Sequence, residues 1–455
     1  MFFCGQIQAQ LSVPTADGRT NQSINQSLTD EVSVESSHAS AQVGAAGPLN
    51  GIRILDLTSV VLGPIATQIL GDYGADVIKI EGIEGDLMRA NGVSRNVGMS
   101  SIFLALNRNK RSLAVDLKSK EGCQIFLELA ATMDVIIHNM RVPAIERLGL
   151  GYAAVRAVKP DIVYCAATGF GQSGPHRSKP AFDDIIQAAS GIAGLMGQAS
   201  GSPEYVPTLI ADKTAGLAVV NGVLAALLHR ERSGQGQYVE IPMFETLVEF
   251  TMAEHLGGLA FEPALGPAGY ARIVSGGRRP AKTADGHIAM LRYSPVQWTA
   301  LFKRVGRGDL AQKYDLTDRH KLNAAVRELY GELGALTPLK PTAEWMAICE
   351  ELDIPASPIY QLDELPEHPH LKAVDMFQVM DHPSEGLVRF VRPAALFDRT
   401  PASVRLPAPA LGQHSENILL DLGYTAAQVA QFRQSGVIAG ASGVHDIPQA
   451  LDKAK

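Results

Sequence analysis

The stretch Ile52–Glu81, IRILDLTSVVLGPIATQILGDYGADVIKIE, decides the fold of this 455-residue chain. Its two ends, Ile52–Leu57 and Asp76–Glu81, are short runs rich in isoleucine, leucine and valine, which are typical of buried strands. Between them, Gly63-Pro64 begins a helix, because proline is favoured at an early helical position, and Gly74 follows its end as a C-cap. Two strands joined by such a helix form a βαβ unit, whose strands are parallel.

The same alternation of short strands and helices continues beyond this unit. The predicted strands are Ser112–Leu117, Val135–His138, Ile162–Ala167 and Tyr238–Phe244. The predicted helices between them are Ser119–Met133, Pro143–Val158, Asp183–Met196 and Asp212–Arg232. Strands that alternate with helices of this length indicate an α/β protein with a mostly parallel, doubly wound sheet of the Rossmann-like kind.

The pattern changes in the second half of the chain. A Gly/Pro-rich stretch precedes the hairpin-like segment Thr283–Met290 and several amphipathic helices, which together predict a smaller α+β domain. The start of the chain is rich in Ser, Gln, Asn and Ala and lacks apolar periodicity, so it is expected to be disordered. We divide the chain into five parts. They are a disordered N-terminal tail (1–48), the first part of a large domain (49–245), a small domain (246–350), a return to the large domain (351–430) and a C-terminal tail (431–455).

Composition and charge exclude several classes of function. With 47 acidic and 40 basic side chains the formal net charge is −7, so no overall positive field would attract nucleic acid or an anionic membrane surface. The four cysteines form no C-x-x-C pair, which argues against a disulfide framework or a zinc site, and no other group has metal-ligand spacing. The chain does not start like a signal peptide, and the apolar stretch Ala215–Leu228 is too short to span a bilayer, so we expect a soluble, cytoplasmic protein.

The first candidate site is Gly169–Gly174, a G-x-G-x-x-G sequence directly after a predicted strand. A dinucleotide-binding loop of this form must open a helix that holds the pyrophosphate, and Pro175–Pro180 cannot start that helix in register. The acidic residue expected about 20 residues later at a strand end is also missing. Nicotinamide binding is therefore disfavoured, although backbone N–H groups of the loop could hold an oxyanion.

Two acidic residues, Asp183 and Asp184, begin the helix that follows the glycine loop. One interpretation is structural, since acidic side chains at a helix start cap free N–H groups and interact favourably with the helix dipole. The other is catalytic, since a carboxylate beside a flexible loop is suited to acyl transfer through a mixed anhydride. The residue types alone favour the structural interpretation.

Two further segments carry groups suited to an anionic, nucleotide-like ligand. Asn107–Ser112 is a basic turn before a strand, and its cations would suit phosphate groups, although a solvated charged loop is the simpler explanation. Asn139-Met-Arg141 ends a predicted parallel strand, and ligands of open α/β sheets collect at such ends.

Taken together, nine segments closely resemble the family III CoA-transferases, which include formyl-CoA transferase and carnitine CoA-transferase. The matching segments, in order, are Leu55–Thr58 with Gly63-Pro64, Gly74–Glu81, Asn109–Ser112, Asn139–Arg141, Gly169–Pro175, Ala181–Asp183, Gly234–Gln237, Thr283–Gly286 and Leu411–His414. Each segment alone is a weak signal, but their shared order is specific. The resemblance extends from about Leu49 to Tyr424.

The resemblance implies roles for particular residues. The family's covalent aspartate follows a small residue and an aromatic residue at the start of this helix, which matches Asp183 and leaves Asp184 with the capping role. CoA would lie across the strand ends, and the expected contacts are Val60, Val61, Leu62, Arg111, Asn139, Arg141, Gly169 and Gly171. A basic position that some members have after Glu81 is Gly82 here, and the glycine-rich active-site loop of formyl-CoA transferase is matched only by Gly276-Gly277.

The resemblance also implies a fold and a reaction. The family fold is an interlocked homodimer, in which each subunit has a Rossmann-like large domain and a small domain. Its substrates are an acyl-CoA donor and a carboxylic acid acceptor, with no permanently bound cofactor. Asp183 would form an anhydride with the acyl group and then a thioester with CoA, and the acceptor would reverse both steps.

Two alternatives remain open. An acyl-CoA racemase or epimerase of the same fold would use a His–Asp pair to move the α-proton, but Gly151–Gly174 contains no histidine and the nearest are His138 and His176. A catalytically silent CoA-binding protein would lack the covalent aspartate, and Asp183 is present. Both observations favour CoA transfer.

Overall fold

The computed structural model describes residues 47–274 and 279–440, so most of both predicted tails lies outside the described residues. The strands in these ranges are β1 (Arg53–Leu57), β2 (Asp76–Glu81), β3 (Lys110–Val115), β4 (Val135–His138), β5 (Val163–Thr168), β6 (Tyr238–Pro242), β7 (Ala281–Lys282), β8 (His287–Met290), β9 (Ala356–Pro358), β10 (Phe377–His382), β11 (Gly386–Val391) and β12 (Ile438–Ala439).

The α-helices in the same ranges alternate with the strands in the first half of the chain. They are α1 (Leu62–Asp72), α2 (Ser101–Leu106), α3 (Lys120–Ala131), α4 (Val142–Arg147), α5 (Tyr152–Val158), α6 (Asp183–Ala189), α7 (Ile192–Ser200), α8 (Ile210–Ser233) and α9 (Met243–His255). The later helices are α10 (Ala271–Val274), α11 (Pro295–Arg304), α12 (Gly308–Lys313), α13 (Arg319–Ala324), α14 (Val326–Leu336), α15 (Thr342–Glu351), α16 (Pro369–Ala373), α17 (Ser415–Asp421) and α18 (Ala426–Gln434).

Seven strands form the large sheet in the order β12-β3-β2-β1-β4-β5-β6. Strands β1 to β6 are parallel, and their order, 3-2-1-4-5-6, is that of a Rossmann-type sheet. Leu55 of β1 pairs with Ile78 of β2 and with Ile136 of β4, so β1 is central. The strand order reverses between β1 and β4, and ligands of open α/β sheets bind outside the carboxyl ends of the strands at such a point.

Helices cover both faces of this sheet, which confirms the predicted doubly wound α/β fold. On one face α1, α8 and α9 bury Leu70, Val219 and Leu247 in a shared core. On the other face α3 and α17 bury Phe126 and Ile418 in a second core, together with α4, α5 and α18. Each such side chain contributes about 1.5–3 kcal/mol when it leaves water, so two apolar layers hold the sheet in place.

Helix α8 lies on the first face and is continuous over 24 residues. It runs through Gly216 and Gly222, so the expectation that this stretch is too short to span a bilayer is wrong: the helix is long and apolar enough by length and composition. Half of its apolar window is buried against α1, β5 and β6. A Cβ atom at Gly216 would lie 2.4 Å from Ile65 of α1, so glycine permits the close packing that accounts for the helix's apolar composition.

A smaller unit follows in the second half of the chain. Strands β7, β8 and β9 form an antiparallel sheet with β8 in the middle. Thr283 donates its N–H to the carbonyl of Gly286 (2.9 Å), which closes the turn between β7 and β8. Helices α11 and α15 pack beside this sheet and bury Trp298 and Trp345 in a separate core.

After β9 the chain returns to the large sheet. Helices α17 and α18 join the second core, and β12 pairs antiparallel with β3 through Ile438 and Val115. Residues 431–440 therefore belong to the large sheet and its helices, which corrects the predicted start of the C-terminal tail. A strand of two residues is too short to show an apolar period, so no sequence pattern predicts it.

Three local features differ from the predicted elements. Strand β3 begins at Lys110 instead of Ser112. The helices predicted for Pro143–Val158 and Asp183–Met196 are each divided, and Gly191, with φ of 87°, separates α6 from α7. The antiparallel hairpin β10–β11 is an additional element that the prediction lacks.

Candidate active site

A cavity of about 270 Å³ lies where the large sheet reverses its strand order. It is bounded by the segments that follow the carboxyl ends of β1, β4 and β5. Five of the residues predicted to contact CoA line it, namely Val60, Leu62, Asn139, Arg141 and Gly169. The strand topology therefore brings together residues that are more than 100 positions apart in the sequence.

The segment between β1 and α1 is held in an unusual shape at this cavity. Asn139 accepts the N–H of Ser59 on Oδ1 (3.0 Å) and donates from Nδ2 to the Ser59 carbonyl (2.7 Å). Val60 has φ of 70°, a left-handed conformation that costs a β-branched residue about 1–3 kcal/mol. Its N–H donates to Oδ1 of Asp86 (3.2 Å), so side chains from two other segments fix the loop.

Buried charges lie directly beneath this loop. Asp56, Lys79 and Lys110 are fully buried, and Nζ of Lys110 is 3.0 Å from Oδ2 of Asp56. Nζ of Lys79 donates to the carbonyl of Thr58 (2.7 Å) and pairs with Oδ2 of Asp86 (3.0 Å). The network thus connects three strands of the sheet, β1, β2 and β3, to the loop.

Electrostatics within the network determine which of its groups carry charge. Burial by itself would raise the pKa of Asp56, but the charges of Lys110 and Lys79 and hydrogen bonds outweigh it and lower the pKa to about 2. Burial lowers the pKa of Lys110 to about 8, despite the opposing effect of Asp56. For Lys79, burial opposes the charged form, yet Asp56 and Asp86 raise its pKa.

The basic turn Asn107–Ser112 does not offer its cations to a ligand within this chain. Arg108 pairs with Asp72 (2.7 Å) and Lys110 with Asp56, so the solvated-loop interpretation is also wrong here. Arg111 pairs with Asp76 (2.7 Å) at the amino ends of β2 and β3. That is the edge of the sheet opposite the cavity, so the structure does not bring Arg111 to the other predicted CoA contacts.

Asp183 is the first residue of α6 and is only 4% exposed, beside the cavity wall formed by Ala181 and Phe182. Its Oδ1 accepts the backbone N–H groups of Ala211 (2.8 Å) and Asp212 (3.1 Å) at the start of α8. Its Oδ2 accepts from Nε2 of Gln187 (2.6 Å). The carboxylate therefore lies at the positive end of a 24-residue helix dipole.

The structural interpretation of the acidic pair needs correction. Neither carboxylate caps its own helix, because the N-cap residue of α6 is Phe182 and makes no side-chain capping bond. Asp183 instead accepts hydrogen bonds from N–H groups at the N-terminus of α8. Asp184 is exposed in the first turn of α6. The capping role expected for Asp184 is therefore reduced to an interaction with the helix dipole.

Asp212 is a site residue that sequence reasoning missed. It lines the cavity, is 8% exposed and belongs to the first turn of α8. Burial, and then the charge of Asp183, raise its pKa to about 7. Its position at the start of a long predicted helix could have marked it as a candidate site residue. However, acidic residues at helix starts are usually explained by their favourable interaction with the helix dipole.

The glycine loop after β5 is shaped by close contacts. A Cβ atom at Gly169 would lie 2.3 Å from Cβ of Ala181, so only glycine fits there. The N–H groups of Gly171 and Gln172 donate to carboxylates of α9 and β6, those of Glu245 (2.9 Å) and Glu240 (2.7 Å). Because these two N–H groups already have carboxylate partners, they cannot hold an oxyanion as predicted for the loop. Gly171, which was predicted to contact CoA, does not line the 270 Å³ cavity.

A second cavity of about 640 Å³ continues along the same edge of the sheet, past the ends of β2 and β3. It shares Ser59 and Met140 with the first cavity. Two exposed cations, Lys118 and Arg147, line it, and Gly82 contributes to its wall. Lys118 follows β3, and a cation just beyond a parallel strand is a signal that the sequence analysis did not use.

Comparison with known proteins agrees with this geometry. The family model of CoA-transferase family III matches residues 49–415, which is most of the chain. The chain belongs to CoA-transferase family III. It is 33% identical over 396 residues to succinyl-CoA:glutarate CoA-transferase of Mus musculus, which covers 86% of this chain and 90% of that protein.

Other members of the family extend the comparison. Succinyl-CoA:mesaconate CoA-transferase of Haloarcula marismortui is 30% identical, with 83% of this chain and 97% of that protein covered. The crystal structure of Rv3272 from M. tuberculosis superimposes with a TM-score of 0.71 at 30% identity, over 82% of this chain and 99% of that one. These likenesses confirm the predicted resemblance to family III CoA-transferases, the predicted fold class and the prediction of an enzyme that transfers CoA.

Within this family III enzyme, the histidines do not favour the racemase alternative. No histidine is among the described residues that line the cavity beside Asp183. His138 is buried in a separate cavity with Tyr164 and Tyr238, and burial lowers its pKa to about 4. His176 is exposed and packs edge-on against Phe170.

Two further expectations concern the active-site loop and metal binding. Gly276-Gly277, matched to the active-site loop of formyl-CoA transferase, lies outside the described residues. Within residues 47–274 and 279–440, no group of three His, Cys, Asp or Glu side chains is arranged to hold a metal ion.

Proposed function

We propose that this enzyme moves CoA from an acyl-CoA thioester to a carboxylic acid, with Asp183 as the covalent intermediate carrier. One observation supports this most strongly. The Asp183 carboxylate is buried at the wall of the strand-end cavity. Its Oδ1 accepts two backbone N–H groups, whereas its Oδ2 accepts one hydrogen bond, from the Gln187 side chain.

The proposed reaction has two symmetric halves. Oδ2 of Asp183 attacks the thioester carbon, the C–S bond breaks, and the electron pair leaves on the CoA thiolate, which gives a mixed anhydride. The thiolate then attacks Cγ of Asp183 and releases the first carboxylate, so that CoA is held as an aspartyl thioester. The acceptor carboxylate repeats both steps in reverse and regenerates Asp183.

The start of α8 would stabilise the charge that develops on Asp183. When the thiolate attacks Cγ, the carbonyl oxygen Oδ1 becomes an oxyanion. The N–H groups of Ala211 and Asp212 already lie 2.8 and 3.1 Å from that oxygen, so no reorganisation is needed. One such donor is commonly worth about 10²–10³ in rate. This assignment replaces the glycine loop as the source of oxyanion donors.

The two connected cavities would accommodate the two ends of CoA. The thioester and pantetheine portion would occupy the smaller cavity beside Asp183, with Asn139 and Arg141 in its wall. The phosphates would lie in the larger cavity, where Lys118 and Arg147 supply positive charge. Ser59 and Met140, which line both, would lie at the passage between them.

The names of the relatives suggest which donor to test first. The relatives of Mus musculus and Haloarcula marismortui are both named as enzymes that use succinyl-CoA. We propose a short dicarboxylic thioester, with succinyl-CoA as the first candidate, as the donor for this enzyme. Glutarate and mesaconate are the corresponding first acceptors.

A second copy of the chain would complete the site. Phe182 and Ile185, which lie next to Asp183 at the start of α6, are 61% and 51% exposed. Large exposed apolar side chains beside a reactive carboxylate are typical of a covered surface. We propose a homodimer, of the interlocked kind found in the family, and light scattering of the purified protein would measure its mass.

The function is tested by comparing two neighbouring acids. Asp183→Asn should abolish CoA transfer between succinyl-CoA and a carboxylate while CoA still binds, because the nucleophile is lost and the CoA cavities are intact. Asp184→Asn is the matched control and should keep most of the rate, because that side chain is exposed. Equal losses in both variants would contradict the assignment of Asp183.

A further inference from the structure

A second carboxyl group, that of Asp212, lies beside Asp183 and has no role in the reaction described above. Asp212 lines the same cavity and is 8% exposed. Its backbone N–H donates to Oδ1 of Asp183 (3.1 Å), so the two residues come from helix starts that are in direct contact. Two acidic residues whose helix starts are in contact, both largely buried, cannot both ionise at low cost.

The two carboxyl groups differ in their hydrogen bonds. Asp183 accepts three, two of them from the start of α8. In the part of the chain that the structure describes, no group donates a hydrogen bond to the Asp212 carboxyl or pairs with it. Burial and the charge of Asp183 accordingly raise the pKa of Asp212 to about 7.

The cavity that Asp212 lines also has three cations in its wall, Arg141, Arg177 and Lys179. The helices α6 and α9, which pack against α8, carry Asp184 and Glu245, and Lys213 follows Asp212 on α8. Lys213 donates to Oγ1 of Thr208, and Glu245 accepts the N–H of Gly171. Across the described ranges none of these groups forms an ion pair with Asp212, so Asp183 is the charge that acts on it most directly.

The proposed transfer moves one negative charge among the reacting groups in this cavity. The charge resides in turn on Asp183, on the CoA thiolate and on a substrate carboxylate. An ionised Asp212 would add a second negative charge beside each of them, and at close range in a site of low polarity that repulsion is strong. A protonated Asp212 avoids the repulsion and has a hydrogen to donate.

We propose that Asp212 holds a proton beside Asp183 and donates a hydrogen bond to the negative charge as it moves between enzyme and substrates. The proton stays on Asp212, so no bond is formed or broken there. Asp212 thus acts on the reacting anion directly, as a hydrogen-bond donor. This inference rests on the proposed CoA transfer through Asp183.

The pH dependence of kcat/KM for the acyl-CoA donor tests the inference. For the wild type, kcat/KM should fall as pH rises above about 7, and at about pH 8.5 it should be roughly 30-fold below its plateau. Asp212→Asn cannot ionise and should lose this fall, whatever its absolute rate. Asp184→Asn, which removes an exposed acid from the same region, should keep the wild-type profile.

A second measurement does not depend on turnover. In the infrared spectrum at about pH 6, the wild type should show the carbonyl band of a buried protonated carboxylic acid that Asp212→Asn lacks, and the band should disappear near pH 7. Absence of that band, or an unchanged pH inflection in Asp212→Asn, would overturn the role of Asp212. Transfer that survives in Asp183→Asn would instead overturn the proposed function, so the two failures are distinguishable.

Discussion

Replacing Asp56 with asparagine tests whether buried charges hold the loop at the cavity. Asp56 is fully buried, 3.0 Å from Nζ of Lys110, and its pKa is about 2 instead of 3.8. That difference corresponds to about 2.4 kcal/mol in favour of the folded, ionised state at neutral pH. Loss of one partner from a buried ion pair costs about 3–5 kcal/mol in other proteins, so we expect Asp56→Asn to cost about 3 kcal/mol.

The effect has a defined pH dependence and a functional consequence. Because the pKa of folded Asp56 is depressed, its stabilisation is fully present above about pH 4 and is lost as pH falls through about 2. Asp56 also accepts the N–H of Thr58 (2.9 Å), so the variant should loosen the segment that leads to Val60. We therefore expect a raised KM for the acyl-CoA donor.

Urea unfolding followed by circular dichroism at about pH 7 measures the change in stability. The matched control is Asp309→Asn, which breaks an exposed pair with Arg307 and should cost less than about 1 kcal/mol. The double variant Asp56→Asn/Lys110→Met removes the uncompensated charge and should recover part of the loss. A variant within about 0.5 kcal/mol of the wild type, or strictly additive losses in the double variant, would refute the reasoning.

Three further predictions concern other parts of the molecule. The pKa of His138 is about 4 in the folded protein and 6.5 in the unfolded chain, so the unfolded chain takes up the proton first as pH falls. The wild type should therefore lose about 2 kcal/mol of unfolding free energy between about pH 7 and 5 because of this group. His138→Phe should not show this loss when urea unfolding is compared at the two pH values. Gly82→Arg has open space for its side chain in the phosphate cavity and should lower KM for acyl-CoA several-fold, an effect that about 0.5 M salt should largely abolish; an unchanged KM would be evidence against phosphate binding there. Gly169→Ala would place a Cβ atom 2.3 Å from Ala181 and should lower kcat at least tenfold by displacing the start of α6, whereas the control Gly174→Ala, whose nearest neighbour is at 3.4 Å, should have little effect on the rate.

The order of strands and helices could be predicted because its signals are local. Apolar runs such as Val135–His138 are complete within a few residues, and their bounds agree with β4. Elements that depend on distant contacts were missed: β12 has two residues and is a strand only because β3 lies beside it. Gly191 has a positive φ and divides a helix that was predicted to be continuous. The break could not be predicted, because glycine also occurs inside continuous helices such as α8.

The site was predictable where a residue's chemistry follows from its position at a strand end. Asn139 and Gly169 are of this kind, and both line the cavity. Lys110 belongs to a turn that looks basic and exposed in the sequence, but tertiary packing buries it against Asp56. Asp212 comes to the site only because the start of α8 meets the start of α6, a contact that no local pattern encodes.

Mass analysis of the enzyme after mixing with succinyl-CoA addresses the central claim most directly. Rapid quenching and proteolysis should yield a peptide containing Asp183 that carries the mass of CoA, and hydroxylamine should convert that side chain to a hydroxamate. The same peptide from Asp183→Asn should remain unmodified. A wild-type enzyme that transfers CoA at full rate without ever gaining mass on this peptide would contradict the covalent role of Asp183.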